Sequence, residues 1–110
     1  MSSPGPFKVF LSKLALDDLR AIRDFIAQSD YDAAIATIGD LRRLADSLCS
    51  MPHRGRTVPE LRELSITSYR ELVHSPWRIV YKIHEDTVYV IAILDARRDF
   101  IDALHDRLLR

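Results

Sequence analysis

The stretch Tyr69–Asp99, YRELVHSPWRIVYKIHEDTVYVIAILDARRD, decides the fold. It contains three runs with period-two patterning, 69–74, 77–84 and 87–94, separated by Ser75-Pro76 and Glu85-Asp86. Period two sends successive side chains to opposite faces of a pleated strand, and short polar or proline-containing breaks between such runs read as hairpin turns. Three consecutive antiparallel strands follow. On the middle strand Trp77, Ile79, Tyr81 and Ile83 share one face, while Arg78, Val80, Lys82 and His84 share the other. One face is therefore core and the other partly wet. The run Val88 to Leu94 is apolar on both faces and belongs near the centre of a sheet. Beyond the terminal Asp95-Ala96-Arg97-Arg98-Asp99, Asp99 is placed to cap a last helix with Phe100, Ile101, Leu104 and Leu108 inward.

Working back from this stretch, residues 52–68 contain Pro52, Gly55 and Pro59 and read as turn-rich, with Leu61, Leu64 and Ile66 as a further edge for strand pairing. Before them the period changes to that of helices. Leu16, Leu19, Ile22 and Ile26 recur at three and four residues, with Asp17, Asp18, Arg20, Arg23 and Asp24 opposite, and Ser12 sits where an N-cap belongs. This helix ends near Gln28. Ser29 and Asp30 interrupt the pattern and cap a second helix, whose Ile35, Ile38, Leu41, Ala45 and Leu48 run on to Met51 before Pro52 stops it. So short a connection makes an antiparallel helix hairpin, and its apolar face must lie on the sheet. Phe7 to Leu11 reads as a first short strand, preceded by a flexible lead at residues 1–6 rich in Ser, Pro and Gly.

A chain of 110 residues suits one domain, here 7–110, with room for a real core. Sixteen basic residues balance sixteen acidic ones, so the total charge does not indicate a strongly basic nucleic-acid binder, and any cationic site is local. No apolar run approaches the roughly 18 residues that span a bilayer, and the N-terminus lacks the pattern of a signal peptide; a cytoplasmic protein without membrane association is expected. Cys49 is the only cysteine, so no intramolecular disulfide forms. His53, His84 and His105 are too scattered for a metal site, and no metal or cofactor is implied.

The order strand, helix hairpin, three antiparallel strands, helix (β-α-α-β-β-β-α, an α+β fold) resembles the RelE/ParE superfamily of type II toxin–antitoxin toxins. The resemblance rests on the Leu-Ser entry with Asp17-Asp18-Leu19, on Asp32-Ala33-Ala34, on Pro52 with Gly55-Arg56, and on Tyr69-Arg70. Arg78-Ile79-Val80-Tyr81 and Arg97-Arg98-Asp99 complete it. It implies a toxin that either cuts messenger RNA on the ribosome or poisons DNA gyrase, and that a cognate antitoxin neutralises by wrapping it in a hetero-oligomer.

Fold does not choose between the two targets; site chemistry must. Cleavage by a 2′-hydroxyl requires a base, an acid and cations for the phosphorane. The candidates are His74 as acid or base, Arg70 and Arg78 as phosphate contacts, and Arg97 or Arg98 as added charge. RelE-like nucleases resemble one another in carrying several basic residues on the sheet and often a Tyr or His near the C-terminus, whereas this chain has Asp95 or Phe100 at those places. The ParE-like branch, with its long hairpin, Gly-Arg turn and Arg-Asp ending, is the closer likeness and needs no catalytic constellation. Its target or partner contacts would come from Arg56, Arg70, Arg78, Arg97 and Arg98. Structural roles stand beside these: Arg70 and Arg78 as partners of Glu71, Glu63 or Asp95, Arg97 with Asp99 as a helix cap, His74 as a solvated strand end, Trp77 and Tyr81 as core aromatics. Outside the toxin class, the chain reads as a small interaction module that kept the fold and lost toxicity.

Overall fold

The computed structural model describes residues 7–97 and 99–110. Strand β1 (Lys8–Leu11) leads into helix α1 (Lys13–Ala27), whose N-cap Ser12 accepts from the Ala15 N–H at 3.1 Å. Helix α2 (Tyr31–Asp46) begins in the same way, with Asp30 accepting from Ala33 at 2.9 Å. It stops earlier than the expected Met51. After Asp46 the chain tightens into one 3₁₀ turn, Ser47–Cys49, which still carries Leu48 into the core.

Residues 52–68 hold more structure than their turn signals suggest. Arg56–Thr57 forms a two-residue strand, β2, and Pro59–Arg62 a short helix, α3, with Pro59 at its first position, where no backbone N–H is needed. Leu61 is therefore not part of a pairing edge: it belongs to α3 and is fully buried, while Leu64 and Ile66 lie exposed beyond the helix. Strands β3 (Tyr69–His74), β4 (Trp77–His84) and β5 (Thr87–Asp95) follow as expected, then helix α4 (Phe100–Leu108). Asp99 precedes α4, and its carbonyl accepts from the Ala103 N–H at 2.9 Å, but its side chain makes no capping hydrogen bond; its φ of 41° turns the chain into the helix.

The sheet order is β1-β5-β4-β3-β2, antiparallel except that β1 runs parallel to β5. The α+β architecture is thus the expected one with two small additions. Alternation divides the sheet cleanly. One face, with Leu72, Ile79, Tyr81, Val88, Val90 and Ile93, packs against Ala15, Leu19, Ile22, Leu41, Ala45 and Leu48 of the hairpin. The opposite face packs Val80 and Ala92 against Val58, Leu61, Phe100 and Leu104. Ile35, expected inward, is 53% exposed on the outside of the hairpin.

Between Val90 and Ala92 the β4–β5 register slips by one residue. The extra residue, Ile91, lets Val90 and Ile93 face the same side despite their odd spacing. There β1 has already turned away into α1, which leaves the outer edge of β5 without a strand. Side chains fill the place: Asp18 of α1 accepts from the Ile93 N–H at 2.9 Å, and Arg107 of α4 donates to the Ile91 carbonyl at 2.8 Å. Arg107 and Asp18 also bond each other at 2.8 and 2.9 Å, and that bond holds the guanidinium above its ordinary pKa. Helices on opposite faces are joined across the sheet edge, and the edge is closed to further pairing.

Candidate functional site

Alternation along β3 puts Glu71 on the α4 face, where its carboxylate is completely buried. Burial of an anion is tolerated only with partners. Oε1 accepts from Arg78 Nε at 2.6 Å and Oε2 from Arg56 Nε at 2.7 Å. The two terminal nitrogens of Arg78 form a forked pair with Glu60 of α3 at 2.8 and 2.7 Å. The Phe100 ring of α4 covers the Arg78 guanidinium at 3.6 Å. Arg56, Glu71, Arg78 and Glu60 thus form a net-neutral chain from the solvent-facing Arg56, through the interior, to the partly exposed Glu60. The Arg78 bond, against the opposing effect of burial, holds the Glu60 carboxyl below its usual range. For Arg78 burial is the largest influence and acts downward, yet its bonds to Glu60 and Glu71 outweigh it and raise the group.

The other face positions a loop. Arg70 donates to the carbonyls of Gly55 at 2.7 Å and His53 at 3.3 Å. Tyr81 Oη donates to the Pro52 carbonyl at 2.8 Å and accepts from the Gly55 N–H at 3.0 Å, while burial pushes its phenol up. A Cβ at Gly55 would lie 2.5 Å from Tyr81 Oη and 2.6 Å from the Glu71 carbonyl oxygen, so only glycine allows this approach.

The sequence-derived candidates therefore occupy three places. Arg56 and Arg78 meet at Glu71. Arg70 and His74 lie on the opposite side of β3, and His74 faces Asp40 of α2 with Nε2 and Oδ2 3.8 Å apart. Arg97 stands beyond the end of β5, held by Asp95 through Nε at 3.1 Å, a terminal nitrogen at 3.0 Å and its backbone N–H at 2.8 Å. With Ala21, Ile22, Phe25, Trp77 and Asp95 it lines a hollow of about 270 Å³. Arg98 lies outside the described residues.

The Glu71–Arg78 contact has a signal in the sequence. With the turn at Ser75-Pro76, Arg78 pairs with Val73 and Glu71 with Val80, which makes Glu71 and Arg78 diagonal neighbours on one face. Glu60 and the Asp18–Arg107 pair had none, being joined only by the folded chain.

Residues 9–100 match the family model described as the ParE toxin of type II toxin–antitoxin system, parDE. The chain belongs to the ParE toxin family. Its match to toxin RelE2 of Caulobacter vibrioides, 39% identical over 85 residues (76% of this chain, 89% of the relative), places it within the wider RelE/ParE superfamily of type II toxins. Two solved structures share this ParE-family fold. One is the chromosomal ParDE toxin–antitoxin system of P. aeruginosa, at TM-score 0.68 and 16% identity over 81% of this chain and 95% of that one. The other is the RelBE2 toxin–antitoxin complex of Mycobacterium tuberculosis, at TM-score 0.60 and 19% identity over 86% and 97%.

Proposed function

We propose that this ParE-family toxin arrests growth by binding DNA gyrase in the cytoplasm, without catalytic chemistry of its own, and that a cognate antitoxin neutralises it. One observation carries the choice of target. The groups a nuclease would need together are apart: Arg78 is enclosed by Glu60, Glu71 and Phe100, whereas His74 and Arg70 lie across the sheet. Such an arrangement supports recognition by cations presented singly, chiefly Arg56, aimed by Glu71 from the outermost strand, and Arg97 at the end of β5. The name of the Caulobacter relative favours a second reading, ribosome-dependent cleavage of messenger RNA.

The antitoxin surface follows from the outside of the hairpin. A cleft of about 180 Å³ is lined by Leu16, Leu19 and Ile38 and by Arg20, Arg23 and Arg42, of which Arg20 and Arg23 are each held at 2.9 Å by an aspartate outside the lining, Asp17 and Asp24. An acidic amphipathic segment, aliphatic side chains inward, fits this charge and shape.

The test is supercoiling by purified gyrase with increasing toxin, scored for lost supercoils and for cleaved DNA. Dose-dependent inhibition relieved by the antitoxin, and weakened by Arg56→Ala in a chain that still folds, is the expected result. Full supercoiling in the presence of folded toxin, together with cut messenger RNA in a translation extract, would overturn the reading in favour of the second.

A further inference from the structure

Between the 3₁₀ turn and β2 the chain crosses one end of the sheet. The Cys49 carbonyl accepts from the Phe7 N–H beside β1 at 2.7 Å, and Gly55 is bonded to Tyr81 of β4 and Arg70 of β3. The backbone of this crossing is held from within. The Pro52 and His53 carbonyls and both backbone groups of Gly55 bind Tyr81 or Arg70, and the Met51 carbonyl accepts from the Arg54 N–H at 3.2 Å. Pro52 and Gly55 are buried, while the side chains of Met51, His53, Arg54 and Arg56 are exposed, Met51 by 61%.

Two guanidinium groups meet at this turn without a carboxylate. Arg54 gives one terminal nitrogen to Ser47 Oγ at 2.8 Å, and Arg70 uses one terminal nitrogen for its two carbonyls; neither bonds an acid among the described residues. Each keeps further N–H donors. Burial raises the Tyr81 phenol, whereas the Gly55 N–H, Arg70 and Arg54 act in the opposite sense, so both positive charges lie close to one hydroxyl. Other cations nearby are answered: Arg56 by Glu71 at 2.7 Å and Arg43 by Asp40 at 2.6 Å. Asp40 also lines, with Arg43, Leu44, Ser47 and His74, a hollow of about 420 Å³ that adjoins Arg54 at Ser47. The surface is therefore a short patch: two unanswered charges, an apolar tip in Met51, and a carboxylate on the α2 side.

From this placement we infer that the turn Met51–Arg56 docks an acidic protein segment, carboxylates meeting Arg54 and Arg70 and an aliphatic side chain meeting Met51. Guanidinium groups bind carboxylates through paired, charge-assisted hydrogen bonds, and a backbone already held in place costs little further ordering on binding. A nucleic-acid strand matches the patch less well. Its phosphates continue at regular intervals, whereas the cations here end at Asp40, and His53 is the only ring among the exposed side chains of the turn. The turn shares no residue with the hairpin cleft. The inference also goes beyond the gyrase reading, which places no contact at Met51 or Arg54.

The test uses the purified full chain and a fluorescein-labelled peptide of about eight residues alternating Asp and Val, in which β-branching favours an extended chain with carboxylates along one side. Fluorescence anisotropy at low salt should show saturable binding with a Kd of about 0.1 mM, weakening as salt rises. Arg54→Glu and Met51→Ala change exposed side chains and should fold, as circular dichroism will verify. They should weaken binding about tenfold and about threefold respectively. Lys13→Glu, the same charge change beyond the other end of β1, should leave binding unchanged. No saturable binding to the folded wild type, or equal binding by Arg54→Glu and wild type, overturns the assignment. So does loss of binding in Arg42→Ala with full binding in Arg54→Glu, which would move the peptide to the hairpin cleft. Tighter capture of an oligothymidylate of the same length would overturn it as well, making the turn a phosphate site. Neither gyrase nor antitoxin is present in this assay, so its outcome is independent of the gyrase reading.

Discussion

The two faces of the sheet are closed by different means. Beneath the hairpin, Leu41, Leu48, Ile79, Val88 and Val90 are fully buried among other apolar groups, and the stabilisation scales with the area removed from water. Beneath α3 and α4 a smaller apolar cluster is joined by the chain Arg56–Glu71–Arg78–Glu60, where position matters more than area. An apolar face tolerates a slightly shifted partner; a forked ion pair does not. The comparison teaches why the short elements β2 and α3 exist at all. Each delivers one end of the charge chain, and Pro59 and Gly55 let the backbone reach the geometry required.

The sharpest way to break this contrast is Glu71→Ala. It leaves Arg78 buried with only Glu60, and stability to urea should fall by roughly 3–5 kcal/mol. The double change Glu71→Leu with Arg78→Met should recover most of that loss, since Arg56 and Glu60 both reach solvent and an apolar pair of similar volume replaces the buried charges. A single variant within about 1 kcal/mol of the wild type would show that the α4 face is held by apolar contact alone. On the other face Leu41→Ala should cost about 2–5 kcal/mol, with no such recovery from a second substitution nearby. Gly55→Ala sits where the two faces communicate, through Tyr81 Oη and the Glu71 carbonyl, and should lower stability by about 1–3 kcal/mol in the same urea titration.

Acid separates the faces without mutation. The Glu60 carboxyl lies below its ordinary 4.5 in the folded chain, so its contribution is complete above that value and is lost as the pH falls through the folded one. Melting temperature should therefore decline more steeply below about pH 4.5 in the wild type than in Glu60→Gln. Equal slopes would exclude Glu60 as a source of acid sensitivity. The smallest effect belongs to a site remote from both faces: Asp30→Ala should cost about 1 kcal/mol through the lost cap of α2, read in the same melts.

What the chain declares locally it declares clearly. The helix hairpin, its two caps, the three-strand meander and the final helix all follow from period, capping residues and turn residues, because those signals act within a few positions. Even the Glu71–Arg78 contact is implied once the Ser75-Pro76 turn sets the register. Residues 52–68 were harder to read: a two-residue strand and a one-turn helix are too short to show a period, and they exist because Glu60, Leu61 and Arg56 find partners elsewhere. Ile35 is exposed because it lies about 100° around α2 from Ala34, off the stripe of Ala34, Leu41 and Ala45 that reaches the core.

Family membership and architecture were thus properties of the sequence by itself. Which arginines face outward was decided only by the tertiary structure. Arg56, Arg70, Arg78 and Arg97 look alike as letters, yet Arg78 lies between two carboxylates, Arg70 carries a loop, and Arg56 and Arg97 are turned to solvent with one carboxylate each behind them. The physical reason is that a guanidinium's role is set by the charges and burial around it. Those surroundings come from residues distant in the chain, such as Asp18 and Arg107, which meet only when the sheet edge they close has formed.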